Sequence, residues 1–408
     1  MSRTFLLTIL FAHILLIPWA LIFNLPDVLG RYGSFALAVI LFVGMSHKSY
    51  YLPFAKNKTI NVLILCLFLC TVITSFKVND FDVYKCAKIT YASHYESNGT
   101  IFGLTTSFKI LVSFLFIQYL KAKRDVKSFL VCLYYIVFFY AIVSDFSILL
   151  LGIQERGTGY LLGNKFTVSY FHLFLAILYQ VQRKCKINST SYYRAFLLWA
   201  LLISVLVHCS TAVIGVLFLF ICDIKGFIMH KIIYNPMFFL SLIVVSVLFA
   251  FFYQIVLDIP FVQYIIVDLL GEDLTLTGRI YIYDAVLNVI EINPLWGYGI
   301  GNSYQLLHFL YDYPNAQNGF INLFLEQGII GSVIVIFLSL LIVMNQVKNR
   351  IKEITFSMIC LLYAMVLMAF VEITIDLWYL LLLSLLQITD KDIQQAKVNY
   401  NNLNSATL

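Results

Sequence analysis

Apolar residues fall in long runs separated by short polar and charged stretches. Hydropathy and the charge breaks predict helices at twelve places: 4–24, 30–46, 59–76, 101–120, 128–151, 166–181, 194–208, 210–224, 237–257, 326–346, 355–372 and 374–388. Each crossing of a bilayer takes about 20 apolar residues, and the chain is long enough for about a dozen. The first run, from Phe5 onward, lacks a small-residue cleavage site and reads as a retained span. The expected fold is an all-α integral membrane protein of about 12 transmembrane helices, with one large external loop containing short amphipathic helices. Residues 1–257 would form a transmembrane bundle of about nine helices and 258–325 the large external catalytic loop. Residues 326–388 would be the C-terminal transmembrane helices and 389–408 a cytoplasmic tail.

Composition agrees with that pattern. Of 408 residues, 61% are apolar and 12% charged, whereas soluble proteins carry about 25% charged residues. The net charge of +6 is no nucleic-acid signal, because its meaning lies in where the bases fall. Lys48, Lys56 and Lys58 fall on one side of the alternating linkers. So do Lys121, Lys123, Arg124 and Lys127, then Arg183, Lys184, Lys186 and Arg194. With Arg3, Lys225, Lys231, Lys348, Arg350, Lys352, Lys391 and Lys397, that side holds 19 of the 27 bases. The positive-inside rule then puts both termini in the cytoplasm and residues 77–100, 152–165 and 258–325 outside. Of eight cysteines only Cys86 lies clearly in an external loop, so no disulfide framework is implied. Cys66 and Cys70 share a helix face with no histidine or carboxylate beside them, which reads as packing rather than a metal site. The chain has no phosphate-binding lysine loop, which argues against an ATP-driven pump.

The least lipid-like stretch is TLTGRIYIYDAVLNVIEINPLWGYGIGN, residues 275–302. Seven acids lie between 258 and 316, with Arg279 as the single base. Apolar spacing from Thr277 to Ile290 is helical, with Thr277 in an N-cap position and Tyr281 and Tyr283 among the apolar positions. Arg279 then sits in the first turn, where a cation opposes the helix dipole unless an anion joins it. Helix N-termini bind phosphate, and arginine adds a bidentate fork. Gly297, Gly299 and Gly301 on alternate residues, followed by Asn302, permit a nest of backbone N–H groups. The plainer reading is that Arg279 pairs with Asp284 or Glu272 and the glycines make a turn.

The next segment, NAQNGFINLFLEQGIIG at 315–331, runs into a predicted span. There Gln317 and Asn318 are followed by nine residues and then Gly328 and Gly331. In order and spacing, TGR, NPLWGYGIGN and this element resemble the O-antigen polymerase and O-antigen ligase family, which includes the Wzy-type polymerases. The resemblance covers residues 277–331, with support from ERGTGYLLGN at 155–164. It implies a GT-C-like, metal-independent, inverting membrane glycosyltransferase without cofactors. The implied substrate is an undecaprenyl-pyrophosphate-linked oligosaccharide at the outer face of the bacterial cytoplasmic membrane. A polymerase moves the growing glycan onto a new lipid-linked repeat, yielding O-antigen or capsular polysaccharide. A ligase moves the finished glycan onto a lipid A core. A chain-length regulator and a flippase are the implied partners, besides the lipid itself.

Either reaction displaces a pyrophosphate, for which the external Arg156 and Arg279 would supply positive charge. Family ligases carry histidine at the position of Gln317, and glutamine has no accessible pKa. Gln317 and Asn318 are then expected to hydrogen-bond sugar, which favours the polymerase. Base candidates are Glu326, Asp312, His308 and Asp284. Glu326 opens an apolar helix and reads equally as a helix-start carboxylate. Among ionisable residues within spans, Lys109 and Asp145 could pair, or Lys109 could be a third phosphate contact. Glu372 and Asp376 fall around the last external turn, and His172 reads as a core histidine. A non-enzymatic flippase or transporter for lipid-linked oligosaccharide also suits the span count. Such a protein would place cations along a mid-membrane cavity.

Overall fold

The computed structural model describes residues 3–18, 22, 27–46, 58–77, 99–152, 159–185, 192–253, 255, 258–264, 267–268, 279–311, 313, 315–348 and 354–393. Apolar runs fold as helices in chain order: α1 (Arg3–Leu15), α2 (Asp27–Ser46), α3 (Lys58–Lys77), α4 (Gly99–Lys123), α5 (Val126–Leu151) and α6 (Lys165–Cys185). Then come α7 (Tyr193–Leu206), α8 (Ser210–Ile224), α9 (Gly226–Ile233), α10 (Pro236–Phe251) and α11 (Pro260–Tyr264). The last are α12 (Arg279–Ile292), α13 (Ser303–Tyr311), α14 (Gly319–Lys348), α15 (Ile354–Met368) and α16 (Leu377–Leu385). Local signals set several boundaries. Asn235 caps α10 by accepting from Met237 N, with Pro236 at its first position. Asp376 caps α16 by accepting from Trp378 N.

The expectation of about twelve crossings in a GT-C-like fold is not met. Among the described residues four helices are long and apolar enough to span a membrane: Lys58–Phe76, Thr100–Lys123, Val126–Leu151 and Gly319–Lys348. Six others are apolar but only 10–17 residues long. At about 1.5 Å per residue such helices fall short of a hydrocarbon layer about 30 Å thick. Hydropathy reads turn residues into a run when they are apolar. The predicted 194–208 and 210–224 form as α7 and α8 but are only 14 and 15 residues long, on either side of His208 with φ +55°, and the run 355–372 stops as helix at Met368. What results is an all-α, mostly buried helical bundle, partly embedded in the membrane.

Two cores organise the chain. The larger joins α1 to α10 with α14, α15 and α16; Phe11, Phe116 and Phe129 meet edge-on or tilted inside it. The smaller lies between α12, α13 and the start of α14, around Tyr253, Tyr283, Val286, Tyr298, Leu306, Leu307, Ile321 and Leu325. Helix α14 contributes to both.

The charged group buried in the bundle finds a different partner from the one expected. Trp199 donates Nε1 to Asp145 Oδ2 at 2.7 Å, and His172 Nε2 lies 3.1 Å from Asp145 Oδ1. Lys109 Nζ instead lies 3.4 Å from Ser34 Oγ. His172 also donates from Nδ1 to Val168 O at 2.8 Å, so it is a hydrogen-bonded core residue.

Candidate active site at the break in α14

Helix α14 is two helical pieces with Gly328 between them, at φ 61° and ψ −172°. A helix break frees N–H groups on one side and carbonyls on the other, and buried backbone groups need partners. The segment 293–301 supplies them. Tyr298 N donates to Leu325 O at 2.9 Å and Gly299 N to Glu326 O at 2.8 Å. Beyond the break, Ile329 N donates to Pro294 O at 2.8 Å and Ile330 N to Leu295 O at 3.3 Å. The contact is so close that a Cβ on Gly297 would stand 2.5 Å from Gly328 N. One on Gly328 would overlap the Leu295 carbonyl. Gly297, Gly299 and Gly301 all have positive φ, at 69°, 88° and 78°, which L-residues with side chains adopt only at a cost.

The same segment grips a carboxylate. Gly301 N donates to Glu326 Oε1 at 3.0 Å, and Ser303 Oγ donates to the same oxygen at 2.9 Å. Glu326 is partly accessible, and no described Lys, Arg or His makes an ion pair with it. The three glycine N–H groups are thus engaged within the protein, at Asn293 O, Glu326 O and Glu326 Oε1. Of the three, Gly301 N alone holds the carboxylate, and the other two satisfy main-chain carbonyls, in the turn that the sequence reads as a phosphate nest. Asn302 is buried and donates Nδ2 to Tyr298 O at 2.7 Å, closing the turn.

Gln317 and Asn318 stand at the start of α14. Asn318 is fully buried and caps the helix, its Oδ1 accepting from Phe320 N at 2.9 Å and Ile321 N at 3.0 Å. Its Nδ2 donates to Phe370 O at 3.1 Å, tying α14 to the turn after α15. Both ends of this amide are therefore used by the fold. Gln317 has φ +52°, and its carbonyl accepts from Tyr283 Oη at 3.2 Å.

Gly319 N donates to Ala369 O at 2.8 Å, which sets the α15–α16 turn against the same end of α14. Two further carboxylates lie there. Glu372 is 5% exposed, and Asp376 caps α16. Burial pushes the Asp376 carboxyl up to about 7, opposed by the Trp378 and Tyr379 N–H groups and assisted by the charge of Glu326.

The sequence profile of the O-antigen ligase family (Wzy_C) matches residues 168–336. The chain carries an O-antigen ligase family domain over this part of its length. The domain begins within α6 and ends within α14, past the break, so it takes in the glycine segment, Glu326 and both halves of the smaller core. No curated protein matches the chain. Within the described residues of this O-antigen ligase family domain and the rest of the chain, no group of three or more His, Cys, Asp or Glu is arranged to hold a metal ion.

The remaining candidates are scattered. Tyr281 is 60% exposed on α12 and is not among the donors to Glu326. Lys109 is with Ser34, two turns along α4 from Phe102, which abuts Gly301. Asp284 accepts from Tyr253 Oη at 3.0 Å. Arg279 opens α12, while its side chain and those of Arg156, Asp312 and His308 lie outside the described residues. Ser303 is the residue that sequence reasoning misses. Its only signal is its place at the first turn of the helix after the glycine run.

Proposed function

We propose that this protein transfers an oligosaccharide from undecaprenyl pyrophosphate onto a carbohydrate acceptor at the outer face of the bacterial cytoplasmic membrane, as an O-antigen ligase does. The observation that carries this reading is Glu326: a partly accessible carboxylate that no described Lys, Arg or His pairs with, fixed by Gly301 N–H and Ser303 Oγ within the matched domain. In the reaction the acceptor hydroxyl gives its proton to Glu326 and its oxygen attacks the anomeric carbon. The bond from that carbon to the pyrophosphate breaks, and the electron pair leaves with the phosphate. Attack opposite the leaving group inverts the centre. Arg279, opening α12, and Arg156 are assigned to the departing pyrophosphate, where a preorganised charge contributes several kcal/mol to the barrier, roughly 3–4 per donor. Orientation follows from the base asymmetry, with both termini cytoplasmic.

Gln317 favours a second reading within the same chemistry. Where the ligases have histidine this chain has glutamine, and a polymerase joining lipid-linked repeats is the alternative. Purified protein incubated with a synthetic lipid-linked oligosaccharide and either a lipid A core or a second lipid-linked repeat separates the two. A single transfer to the core supports ligation, and a ladder supports polymerisation. Folded protein that forms neither product defeats both.

A further inference from the structure

The chain carries no charged residue from Ile232 to Leu257, yet α10 covers only Pro236–Phe251 of that run. At about 1.5 Å per residue, α10 stops short of the far side of a hydrocarbon layer about 30 Å thick. It packs on α14 and α15, and α14 is of membrane length. Val244, Leu248 and Phe251 are exposed along it. Past the helix the apolar exposure continues. Phe252, Ile255, Ile259, Phe261, Tyr264 and Val267 are all exposed, Ile255 at 65% and Phe261 at 70%. Tyr253 is taken up by the protein instead. It is buried in the smaller core, where its hydroxyl donates to Asp284 Oδ1 at 3.0 Å and its ring meets Tyr283 edge-on at 5.4 Å.

Three constraints decide where such a segment can sit. Large apolar side chains exposed this densely do not belong in bulk water. Irregular backbone does not face the hydrocarbon core, and here the helix breaks at Phe252, with φ −116° and ψ 22°, and the chain bends again at Asp258 and Ile259. Asp258 and Asp268 are exposed among the apolar residues, and a carboxylate is costly at bilayer depth. The boundary between acyl chains and headgroups meets all three, and Phe and Tyr suit it because one end can be apolar and the other wet. We propose that Phe252, Ile255, Ile259, Phe261, Tyr264 and Val267 form a membrane-surface anchor, immersed in the lipid at that boundary. The anchor extends the apolar face of α10, which lies against a membrane-length helix. Tyr253 couples it to the smaller core, so the outer helices are held at headgroup level. The anchor does not depend on which reaction the outer site performs.

The test uses the full chain in nanodiscs of phosphatidylcholine brominated either near the headgroup or near the chain ends. Ile255→Trp and Phe261→Trp each place a fluorophore at an exposed apolar position, and the signal read is the fluorescence added over the wild type. Bromines near the headgroup should quench it at least about twofold more than bromines at the chain ends, because interfacial segments sit about 5–10 Å deep. Acrylamide in the water should quench it only weakly. Adding Phe261→Asp to Ile255→Trp should weaken the lipid quenching and strengthen that by acrylamide, since the charge draws the segment toward water. Strong acrylamide quenching without lipid quenching in the single variants overturns the proposal by placing the segment in water. Strongest quenching from the chain ends overturns it in favour of a deep crossing. Protection from lipid and acrylamide alike, with a doubled mass of the particle's protein, overturns it in favour of a second copy of the chain. Unchanged quenching on adding Phe261→Asp also overturns it.

Discussion

Gly301 donates its backbone N–H to Glu326 Oε1 at 3.0 Å, across 25 positions of sequence. One carboxylate oxygen is thereby committed to the glycine segment and to Ser303, which fixes the direction in which the rest of the group faces. For Glu326→Gln the shape remains and the base is lost. Turnover should fall by about 10²–10⁴-fold, the usual worth of a general base, with Tm little changed. Gln317→Ala should cost far less, about the 0.5–1.5 kcal/mol of one hydrogen bond. Steady-state kinetics on lipid-linked donor compares them, and an active Glu326→Gln protein removes Glu326 from the chemistry.

The break in α14 makes a stability prediction. Gly328 has φ 61°, and an added Cβ would meet the Leu295 carbonyl and Trp296 N. Gly328→Ala should destabilise by clearly more than about 1 kcal/mol, the range in which left-handed positions penalise alanine. Gly226 is the control, because a Cβ there has nothing within 4 Å. Gly226→Ala should be neutral or gain up to about 1 kcal/mol. Thermal unfolding in detergent reads both, and equal behaviour would mean the break is not held by the glycine.

Arg279→Lys tests the pyrophosphate clamp. A lysine keeps the charge at the start of α12 but cannot reproduce the bidentate fork. The variant should fold and lose most of its turnover. Near-normal kinetics would return Arg279 to a surface pairing.

The orientation of the whole arrangement can be read at Tyr281, which is 60% exposed on α12. In Tyr281→Cys cells an impermeant thiol reagent should label the new thiol from the outer face. Protection until the membrane is opened would reverse the topology and with it the proposed reaction.

The Asp376 carboxyl, at about 7 against an ordinary aspartate value of 3.8, gives a pH dependence of known sign. Its folded-state value is raised, chiefly by burial, so the folded protein binds the proton more tightly than the unfolded chain does. That stabilisation is complete below the unfolded value and is lost as pH rises through the folded one. The Tm of the wild type relative to Asp376→Asn should therefore decline between about pH 4 and pH 8. A flat or rising difference would show that Asp376 is not buried in this way.

Helix positions were legible because apolar runs announce them: α3, α4 and α5 fall close to the predicted 59–76, 101–120 and 128–151. The number of crossings was not, because a helix packed in protein and a helix facing lipid need the same residues. α7 and α8 show this, lying on either side of a tight turn at Val207–Cys209. α14 begins at Gly319, ahead of the apolar run at 326, because Asn318, Asn322 and Glu326 meet polar or backbone partners from the smaller core and the last turn. Glu326 stood out as an acid in an apolar helix. The work of Gly297, Gly299 and Gly301 did not, because the carbonyls and carboxylate that receive their N–H groups are distant in sequence. Asn318 looked like a sugar ligand for the same reason, since nothing local reveals its bond to Phe370.

Membrane helices tilt to match the thickness of the surrounding bilayer, and tilting changes the depth of anything they carry relative to a neighbour. The segment 293–301 bonds to α14 on both sides of Gly328 and to the Glu326 side chain between them. Carboxylate, donors and glycine segment therefore ride on one helix as a cassette, so that a thinner or thicker membrane moves the acid and its supports together without shearing one from the other.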